Sequence, residues 1–152
     1  MIQKPAIFLP PGGGERLDYL DGDVSLVLAS GEATGGAFSA VEHRLAPGVP
    51  GPPKHYHERM CDSFYVLAGT LSLWVEDRWE DAGPGSFACF PPGVVHTFAN
   101  RSDRLARVLN VNSPGGWDEV LRAIVHHAQQ DGPAGSVTVG EVSAQRDMIV
   151  VE

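Results

Sequence analysis

Two histidines one residue apart, His55 and His57, begin the part of the chain whose residue types and spacing can do chemistry. On a β-strand, side chains at positions i and i+2 point to the same face, so both imidazoles can reach one metal ion. A carboxylate, Asp62, follows, and a third imidazole, His96, lies further along the chain. Imidazole and carboxylate ligands suit a divalent transition metal. Taken alone, the first two histidines also fit a surface pair, and His96 also fits a hydrogen-bonded core histidine.

The spacing of these residues resembles the two sequence motifs of the cupin family. The matched identities are His55, His57, Gly69, Gly85, Pro91, Gly93, His96 and Asn100. Fifteen residues separate Gly69 from Gly85, which also suits the family. If each residue type has a frequency of about 5%, the probability that all eight identities match by chance is on the order of 10⁻¹⁰ for each starting position in a sequence. Residues 31–42 and the C-terminal part are also similar to small bacterial cupins of the quercetin-dioxygenase-like type.

This resemblance implies an all-β fold, a cupin-type jelly-roll β-barrel (an antiparallel double sheet) with a short C-terminal helical appendage. It implies that His55, His57 and His96 converge inside the barrel beside Asp62. Together they would hold one divalent transition metal per chain, drawn from Fe, Mn, Ni, Co, Cu and Zn. At the family level it also implies a dioxygenase or other oxygenase acting on a small enolic or aromatic compound.

Two other function classes stay open. A metal can serve as a Lewis acid in a non-oxidative isomerase or polyketide cyclase, or the chain can be a binding module without catalysis. In each case we expect a small-molecule partner in a pocket. Strand alternation directs five apolar side chains toward the interior that holds the metal, and we expect them to line this pocket: Phe64, Val66, Leu71, Leu73 and Phe98.

Asp62 stands where the family usually has Glu, and the loop before His55 differs in length from the family pattern. Because Asp is one methylene shorter, its reach falls by about one C–C bond, ~1.5 Å. Asp62 can coordinate directly, act through a water, or accept a hydrogen bond that orients a histidine. We favour the direct ligand, since alternation turns Asp62 inward and an unpaired inward carboxylate is costly. Glu58 follows His57 directly, so we expect a surface acid there, and the less favoured alternative is that Glu58 replaces Asp62 at the metal.

Short apolar runs separated by Gly and Pro turns predict many short strands. The chain has 18 Gly and 12 Pro. The predicted strands are Ile7–Leu9, Val24–Ala29, Ala37–Leu45, Phe64–Leu67, Leu71–Val75, Phe87–Phe90, Val94–Phe98 and Leu105–Val111. Positive φ is expected at Gly69 and Gly93, where tight turns demand it. We expect the Asn100 side chain to hydrogen-bond to the backbone of a turn.

The apolar period changes to that of a helix after residue 114. Residues from Trp117 to Ala128 form one apolar stripe at helical spacing. A capping box at Thr138 predicts a second helix from Val139 to about Arg146, followed by an extended end. We expect the helices to pack on the outside of the β core. The chain is interpreted as one domain over residues 1–152, with a barrel core over about 20–112 and a helical tail over about 114–152.

Charge and composition exclude several function classes. Eleven Lys and Arg stand against nineteen Asp and Glu, a net charge of −8. A nucleic-acid or anionic membrane surface needs a basic face, which this composition does not supply. No apolar run approaches the ~20 residues of a membrane span, and no signal peptide is visible, so a cytoplasmic location is expected. Two cysteines do not make a disulfide framework.

Open sheet edges need protection, so a homodimer is expected, with Ile7–Leu9 as the candidate strand for pairing with a partner. Other residues are assigned no chemistry. We expect His43 on the outer face of its strand and Cys89 in the core. Cys61 is expected to face away from the metal, and the pair His126 and His127 to face solvent.

Overall fold

The computed structural model describes residues 3–131 and 147–152, which form mainly β-strands. The elements are β1 (Glu15–Asp18), β2 (Val24–Ala29), β3 (Ser39–Leu45), β4 (His55–Tyr56), β5 (Cys61–Ala68), β6 (Leu71–Val75), β7 (Arg78–Ala82), β8 (Phe87–Phe90), β9 (Thr97–Ala99), β10 (Ala106–Ser113), α1 (Trp117–Asp131) and β11 (Ile149–Val150). In these two ranges, no helix is long and apolar enough to cross a membrane.

The strands form two layers, as the predicted double sheet requires. One layer is a six-stranded antiparallel sheet in the order β1-β2-β3-β10-β5-β8. The other combines a three-stranded sheet, β7-β6-β9, with the pair β11-β4. An isolated antiparallel bridge between His55 and His96 joins these two smaller sheets. The predicted all-β antiparallel double sheet, followed by a helix, is therefore observed.

Strand alternation in β5 and β10 divides the interior into an apolar end and a polar end. In β5, Phe64 and Val66 are buried in the core cluster, and Asp62 lies on the same face two residues earlier. In β10, Val108 is equally buried, and the asparagines of the Asn110-Val111-Asn112 segment continue that face. Asn112 pairs with Asp62 across the two strands. The antiparallel register thus gathers the polar inward residues at one end of the barrel.

Helix α1 has the predicted apolar stripe but not the predicted location. Leu121 and Val125 pack against Leu17, Val27 and Val41, which lie on β1, β2 and β3. Val41 shares the inward face of β3 with Leu45, a member of the main core cluster. The helix therefore covers the interior face of the large sheet at its open end. The expectation that it packs outside the β core is wrong, because none of the described strands forms a second layer over this face of the sheet.

Three predicted strands have the observed bounds, namely Val24–Ala29, Leu71–Val75 and Phe87–Phe90. The prediction of a strand at Ile7–Leu9 is wrong, since this segment has no ladder partner among the described residues. Cys89 is exposed rather than in the core, because Phe90 takes the inward position of β8 and turns its neighbour outward. The predicted helix Val139–Arg146 lies outside the described residues.

Gly69 and Gly93 both have positive φ, as expected, with values of 74° and 86°. A Cβ on Gly69 would also collide with the backbone of Leu105 and lie 2.8 Å from the Cα of Ala106. A Cβ on Gly93 would meet nothing within 4 Å. The two glycines therefore separate the cost of left-handed backbone from the cost of a steric collision.

Gly93→Ala should lower the free energy of unfolding by about 1–2 kcal/mol, the usual cost of left-handed backbone for a residue with a Cβ. Gly69→Ala should lower it by clearly more, because the β5–β6 turn must also move away from β10. Urea denaturation of the two variants and the wild type measures both losses. Equal losses would contradict the packing described for this turn.

Candidate metal centre

Four side chains from three segments of the chain meet at the polar end of the interior. His55 lies in β4, and His57 is the first residue after that strand. Asp62 lies in β5, and His96 directly precedes β9. Their potential ligand atoms all lie within 4.8 Å of one another. None of the four residues is more than 4% exposed. The structure thus brings together the four residues that the motif spacing selected.

Backbone pairing holds the histidine-bearing segments side by side. The N–H of His55 donates to the carbonyl of His96 at 3.0 Å, and the N–H of His96 donates back at 2.8 Å. The N–H of Gly93 donates to the carbonyl of His57 at 2.7 Å. Because these contacts fix the backbone, the three rings converge without depending on side-chain rotamers alone. The ring centroids of His55 and His96 lie 4.6 Å apart.

Each of the three imidazoles has its Nδ1 atom against a backbone carbonyl. His55 Nδ1 lies 2.7 Å from Pro53 O, His57 Nδ1 lies 2.5 Å from Asp147 O, and His96 Nδ1 lies 2.9 Å from Val94 O. A carbonyl only accepts, so Nδ1 must carry the proton in each ring. In the neutral rings the Nε2 lone pairs are then free to bind a metal, and the carbonyls orient them.

The Asp62 carboxylate has one oxygen held by the protein and one directed at the histidines. Both Asn110 Nδ2 and Asn112 Nδ2 donate to Asp62 Oδ1 at 2.7 Å. Asp62 Oδ2 lies 2.9 Å from His96 Nε2 and 3.6 Å from His57 Nε2. Only Oδ2 is therefore available to a metal ion. The two amides hold the shorter carboxylate in place from the neighbouring strand.

The charges in the cluster favour a cation. Burial raises the pKa of the Asp62 carboxyl, but the imidazoles of His57 and His96 outweigh burial and hold it well below its usual value. Burial lowers the pKa of His55 to about 4, so at neutral pH this imidazole is in the uncharged, metal-binding form. Burial also opposes protonation of His57, but the negative charge of Asp62 prevails and raises its pKa.

An unsatisfied atom provides an independent test of whether a metal fits. His57 Nε2 is buried and has no hydrogen-bond partner among the described residues, since Asp62 Oδ2 lies 3.6 Å away. A buried polar atom without a partner is costly in a native protein. His96 has acceptors on both ring nitrogens, the Val94 carbonyl and the ionised Asp62 carboxylate, so either a proton or a metal ion must lie between its Nε2 and Asp62 Oδ2. The donor set of three imidazoles and one carboxylate fits a divalent transition metal.

A cavity of about 480 Å³ opens beside the cluster. His55 and Asp62 form part of its wall. Most of the other lining residues are apolar: Leu20, Leu45, Val49, Pro50, Pro52, Pro53, Phe98, Ala99, Trp117, Leu121, Ile124, Ala128 and Met148. The volume lies within the range of about 300–1,000 Å³ that small-molecule sites occupy.

Of the five side chains expected to line the pocket, the structure places only Phe98 on the cavity wall. The other four, Phe64, Val66, Leu71 and Leu73, pack together in the core cluster at the apolar end of the barrel. Alternation correctly gives their face, but it does not specify how far along the barrel each residue lies. Helix α1 supplies the wall that these four residues do not.

His43 is buried and lines the cavity, so its expected position on the outer face of β3 is wrong. The ring shares the inward face with Val41 and Leu45, and hydrogen bonds compensate its burial. His43 Nδ1 lies 2.8 Å from Ser25 Oγ, and Nε2 lies 3.3 Å from Asn110 Oδ1. Burial lowers the pKa of His43. This imidazole is therefore linked to Asp62 through a single amide side chain.

Three residues of the site were not predicted from the sequence, namely Asn110, Asn112 and Asp147. Asn110 and Asn112 carry a usable signal, since asparagines at i and i+2 in a β-strand face one side and depart from its apolar pattern. Asp147 carries none, because its contact with His57 spans 90 positions of the chain. Of the residues expected to take no part, Glu58 and His126 are exposed, and His127 and Cys61 are half-buried.

Residues 41–112 match the family model described as the cupin domain. A curated relative, quercetin 2,3-dioxygenase from Bacillus subtilis (strain 168), is 29% identical over 117 residues, which cover 76% of this chain and 34% of the relative. The chain therefore spans about a third of the length of that relative.

Solved structures share the fold. A sugar phosphate isomerase from a cupin superfamily, from Silicibacter pomeroyi DSS-3, is 31% identical with a TM-score of 0.61, covering 70% of this chain and 74% of its own. The polyketide cyclase RemF from Streptomyces resistomycificus is 23% identical with a TM-score of 0.57, covering 74% of this chain and 80% of its own. At that identity the second likeness shows the fold alone.

The purified protein should contain about one divalent transition metal per chain, since the four clustered side chains offer one set of ligand atoms. Elemental analysis measures the metal content. A double variant, His57→Ala with His96→Ala, should lose the metal. The matched control His126→Ala with His127→Ala removes two histidines on α1 and should retain it. Equal metal content in both double variants would contradict the assignment.

Asp62→Ala should weaken metal binding more than ~100-fold if Oδ2 coordinates the ion directly, since loss of a group that only orients a ligand costs about 10–100-fold. Asp62→Glu should retain the metal if the strand can shift to fit the longer arm. Metal titration of these variants and the wild type measures the affinities. Wild-type affinity in Asp62→Ala would show that the three histidines suffice.

Proposed function

Because this chain belongs to the cupin superfamily, we propose that it is a metal-dependent oxygenase that acts on a small, uncharged enolic or aromatic compound. The similarity to quercetin 2,3-dioxygenase covers the part of the chain that carries the histidine and aspartate cluster. The ligands in this proposal are the Nε2 atoms of His55, His57 and His96 together with Asp62 Oδ2. Asp62 binds through one oxygen, because the two asparagine amides occupy the other.

The observation that carries the proposal is the charge of the cavity wall. Among the described residues that line it, none is Lys or Arg, and three, Asp21, Asp23 and Asp62, are acids. Recognition of a phosphate group relies on cationic side chains or clustered backbone N–H donors. The cavity is therefore poorly suited to a sugar phosphate, the substrate class named for one structural relative. It suits an uncharged molecule with a flat apolar body.

The side chains of the cavity have separable roles in this proposal. Phe98 and Trp117 offer aromatic surfaces against which a planar substrate can pack, and Leu121 and Ile124 exclude water from the same space. The Trp117 ring also packs edge-on to His57, with 5.3 Å between ring centroids. When bound, the metal supplies Lewis-acid polarisation and, if it is redox-active, a means of reacting with O₂.

A polar series on the cavity wall can orient the substrate's hydroxyl or carbonyl groups. Tyr19 OH and Ser25 Oγ are hydrogen-bonded at 3.0 Å, and Ser25 Oγ contacts His43 Nδ1. Burial raises the pKa of Tyr19 to about 12, so the phenol keeps its proton at neutral pH. These groups donate and accept hydrogen bonds without adding charge, which matches an uncharged substrate.

A second candidate function is a non-oxidative proton transfer, such as an isomerisation or a cyclisation of a polyketide. The specific observation in its favour is that the cavity contains proton-transfer groups outside the four-residue cluster. Besides His43, Asp23 lines the cavity, and burial raises its pKa to about 6, which is suited to acid–base catalysis near neutrality. Dependence on O₂ distinguishes the two candidates.

We also propose that two copies of the chain associate as a homodimer. The outer face of β5 and β8 exposes Tyr65, Leu67 and Phe87, of which Phe87 is 67% exposed. Strand β8 is an edge of the six-stranded sheet. The N-terminal segment Ile7–Leu9 is also exposed and has no sheet partner within the described residues. Both features are suited to contact with a second copy.

O₂ consumption should depend on both the metal and an uncharged substrate. The protein is loaded separately with Fe, Mn, Ni, Co, Cu or Zn and mixed with a panel of flavonols, phenols and 1,3-diketones in an oxygen electrode. Uptake is expected with a redox-active metal, and none with Zn or with the His57→Ala, His96→Ala double variant. Turnover that continues without O₂ would favour proton transfer instead. Turnover of sugar phosphates alone would contradict the oxygenase and the uncharged substrate, and would favour non-oxidative proton transfer.

Light scattering should give a particle of twice the 16.2 kDa chain mass. Phe87→Asp should shift the protein toward the monomer, because it places a charge on the exposed apolar face. The control Phe38→Asp changes an exposed apolar residue outside that face and should leave the dimer intact. A wild-type mass of one chain at working concentration would contradict the dimer.

A further inference from the structure

The last described residues of the chain return to the candidate metal centre. Residues Asp147–Val151, named here the C-terminal strap, run antiparallel to β4. Ile149 pairs with Tyr56 and Val150 pairs with His55. The N–H of Val151 donates to the carbonyl of Lys54 at 2.9 Å. The short strand that carries the first histidine therefore has the strap on one edge and the His96 segment on the other.

The three histidines differ in how far along the chain their Nδ1 partners lie. The carbonyls that accept from His55 and His96 belong to Pro53 and Val94, each two residues earlier in the same segment. The carbonyl beside His57 Nδ1 belongs to Asp147, 90 positions later. Two rings are thus oriented locally, whereas the orientation of His57 depends on where the strap lies. Within residues 3–131 and 147–152, His57 is also the ring whose Nε2 has no hydrogen-bond partner.

The side chain of Asp147 anchors the strap to the segment between two of the ligands. Its Oδ1 accepts from the backbone N–H of Glu58 at 2.7 Å. Its Oδ2 accepts from the N–H groups of Arg59 at 3.1 Å and Met60 at 3.0 Å. These three consecutive donors lie between His57 and β5, which carries Asp62. Hydrogen bonds from N–H groups to a carboxylate are among the stronger kinds in proteins.

The backbone at Asp147 is held in a conformation that L-residues seldom adopt, with φ of 67°. Such a conformation costs on the order of 1–3 kcal/mol and persists where surrounding contacts impose it. Here it lets one residue present its carbonyl to His57 and its carboxylate to the next three N–H groups at once. Met148, which follows, is 1% exposed and lines the cavity. The strap therefore contacts both the ligand cluster and the substrate cavity.

From these contacts we infer that Asp147 is a positioning residue of the metal centre, acting on the ion through His57. The inference rests on the proposed metal site. The Asp147 carbonyl fixes the proton of His57 on Nδ1 and so keeps Nε2 free, while its carboxylate holds the turn from His57 to Asp62 in register. Metal affinity is then set in part by a residue that does not touch the metal.

Two substitutions test the carboxylate anchor while leaving the backbone carbonyl of residue 147 in the chain. Asp147→Gly removes the carboxylate but accepts positive φ without cost, so its effect reports the loss of the anchor and not backbone strain. Metal affinity should fall about 10–100-fold, the usual effect of losing a group that orients a ligand. Asp147→Asn keeps one acceptor oxygen and tolerates left-handed backbone, so it should lose less. The control Glu58→Gln removes an exposed negative charge beside the same turn and should bind like the wild type.

Zn²⁺ competition titration measures the affinities of the four proteins. The second readout is NMR of protein labelled with ¹⁵N-histidine, in which hydrogen exchange of each Nδ1–H is followed with and without Zn²⁺. In Asp147→Gly, exchange at His57 should accelerate at least tenfold, while His55 and His96 keep their wild-type rates because their acceptors are local. A general loss of folding stability would accelerate all three rings together.

Unchanged Zn²⁺ affinity in Asp147→Gly, or equal acceleration at all three rings, would overturn the inference. A wild-type protein that binds no Zn²⁺ and no other divalent ion would instead contradict the proposed metal site. The exchange rates of the metal-free protein would then still decide whether Asp147 orients His57. The two failures are thus distinguishable.

Discussion

The interior of this protein is organised around a buried negative charge. Asp62 is 4% exposed, and an ionised carboxylate taken out of water is tolerated only when it is paired and hydrogen-bonded. Two asparagine amides satisfy Oδ1, and the imidazoles of His96 and His57 approach Oδ2. A metal cation between Oδ2 and the Nε2 atoms would complete this compensation. The strands around Asp62 therefore serve to position the amides and imidazoles that compensate the charge of its carboxylate.

The two-sheet architecture makes the compensation possible. β5 and β10 are neighbours, so their inward faces bring Asp62 beside the asparagine pair while Phe64, Val66 and Val108 seal the other end. The second layer brings the histidines from across the barrel. Helix α1 and the C-terminal strap close the remaining side, and the cavity is the space that they leave beside the cluster. The register between β5 and β10 thus determines the packing of the core, the position of the charged cluster and the position of the cavity.

The features that could be predicted from the sequence were those that depend on residues close together in the chain. Strand spacing placed His55 and His57 on one face, the resemblance to the cupin motifs added Asp62 and His96, and some strands with clear apolar runs, such as Leu71–Val75, had their observed bounds. β1 and β7 escaped detection because they are edge strands whose residues are mostly polar or exposed. An apolar run there is unnecessary, since neither strand is covered on both faces.

The features that were not predictable depend on tertiary packing. Alternation from Val41 and Leu45 turns His43 inward, but it did not supply the hydrogen bonds to Ser25 and Asn110 that compensate the burial of this ring. It did not indicate that α1 would line the cavity, which follows from the open face of β1, β2 and β3. The contact between His57 and Asp147 leaves no local pattern at either residue. These long-range contacts complete the site that the local motifs begin.

The central claim is that one metal ion lies between the three Nε2 atoms and Asp62 Oδ2. The most direct test is anomalous diffraction from crystals of the Zn²⁺-loaded protein, collected on both sides of the zinc absorption edge. The account predicts a single anomalous peak at about 2.0–2.2 Å from each of the four ligand atoms, the usual range for nitrogen and oxygen ligands of zinc. A peak at other histidines, or an empty cluster in which Asp62 Oδ2 still pairs with His96, would contradict it.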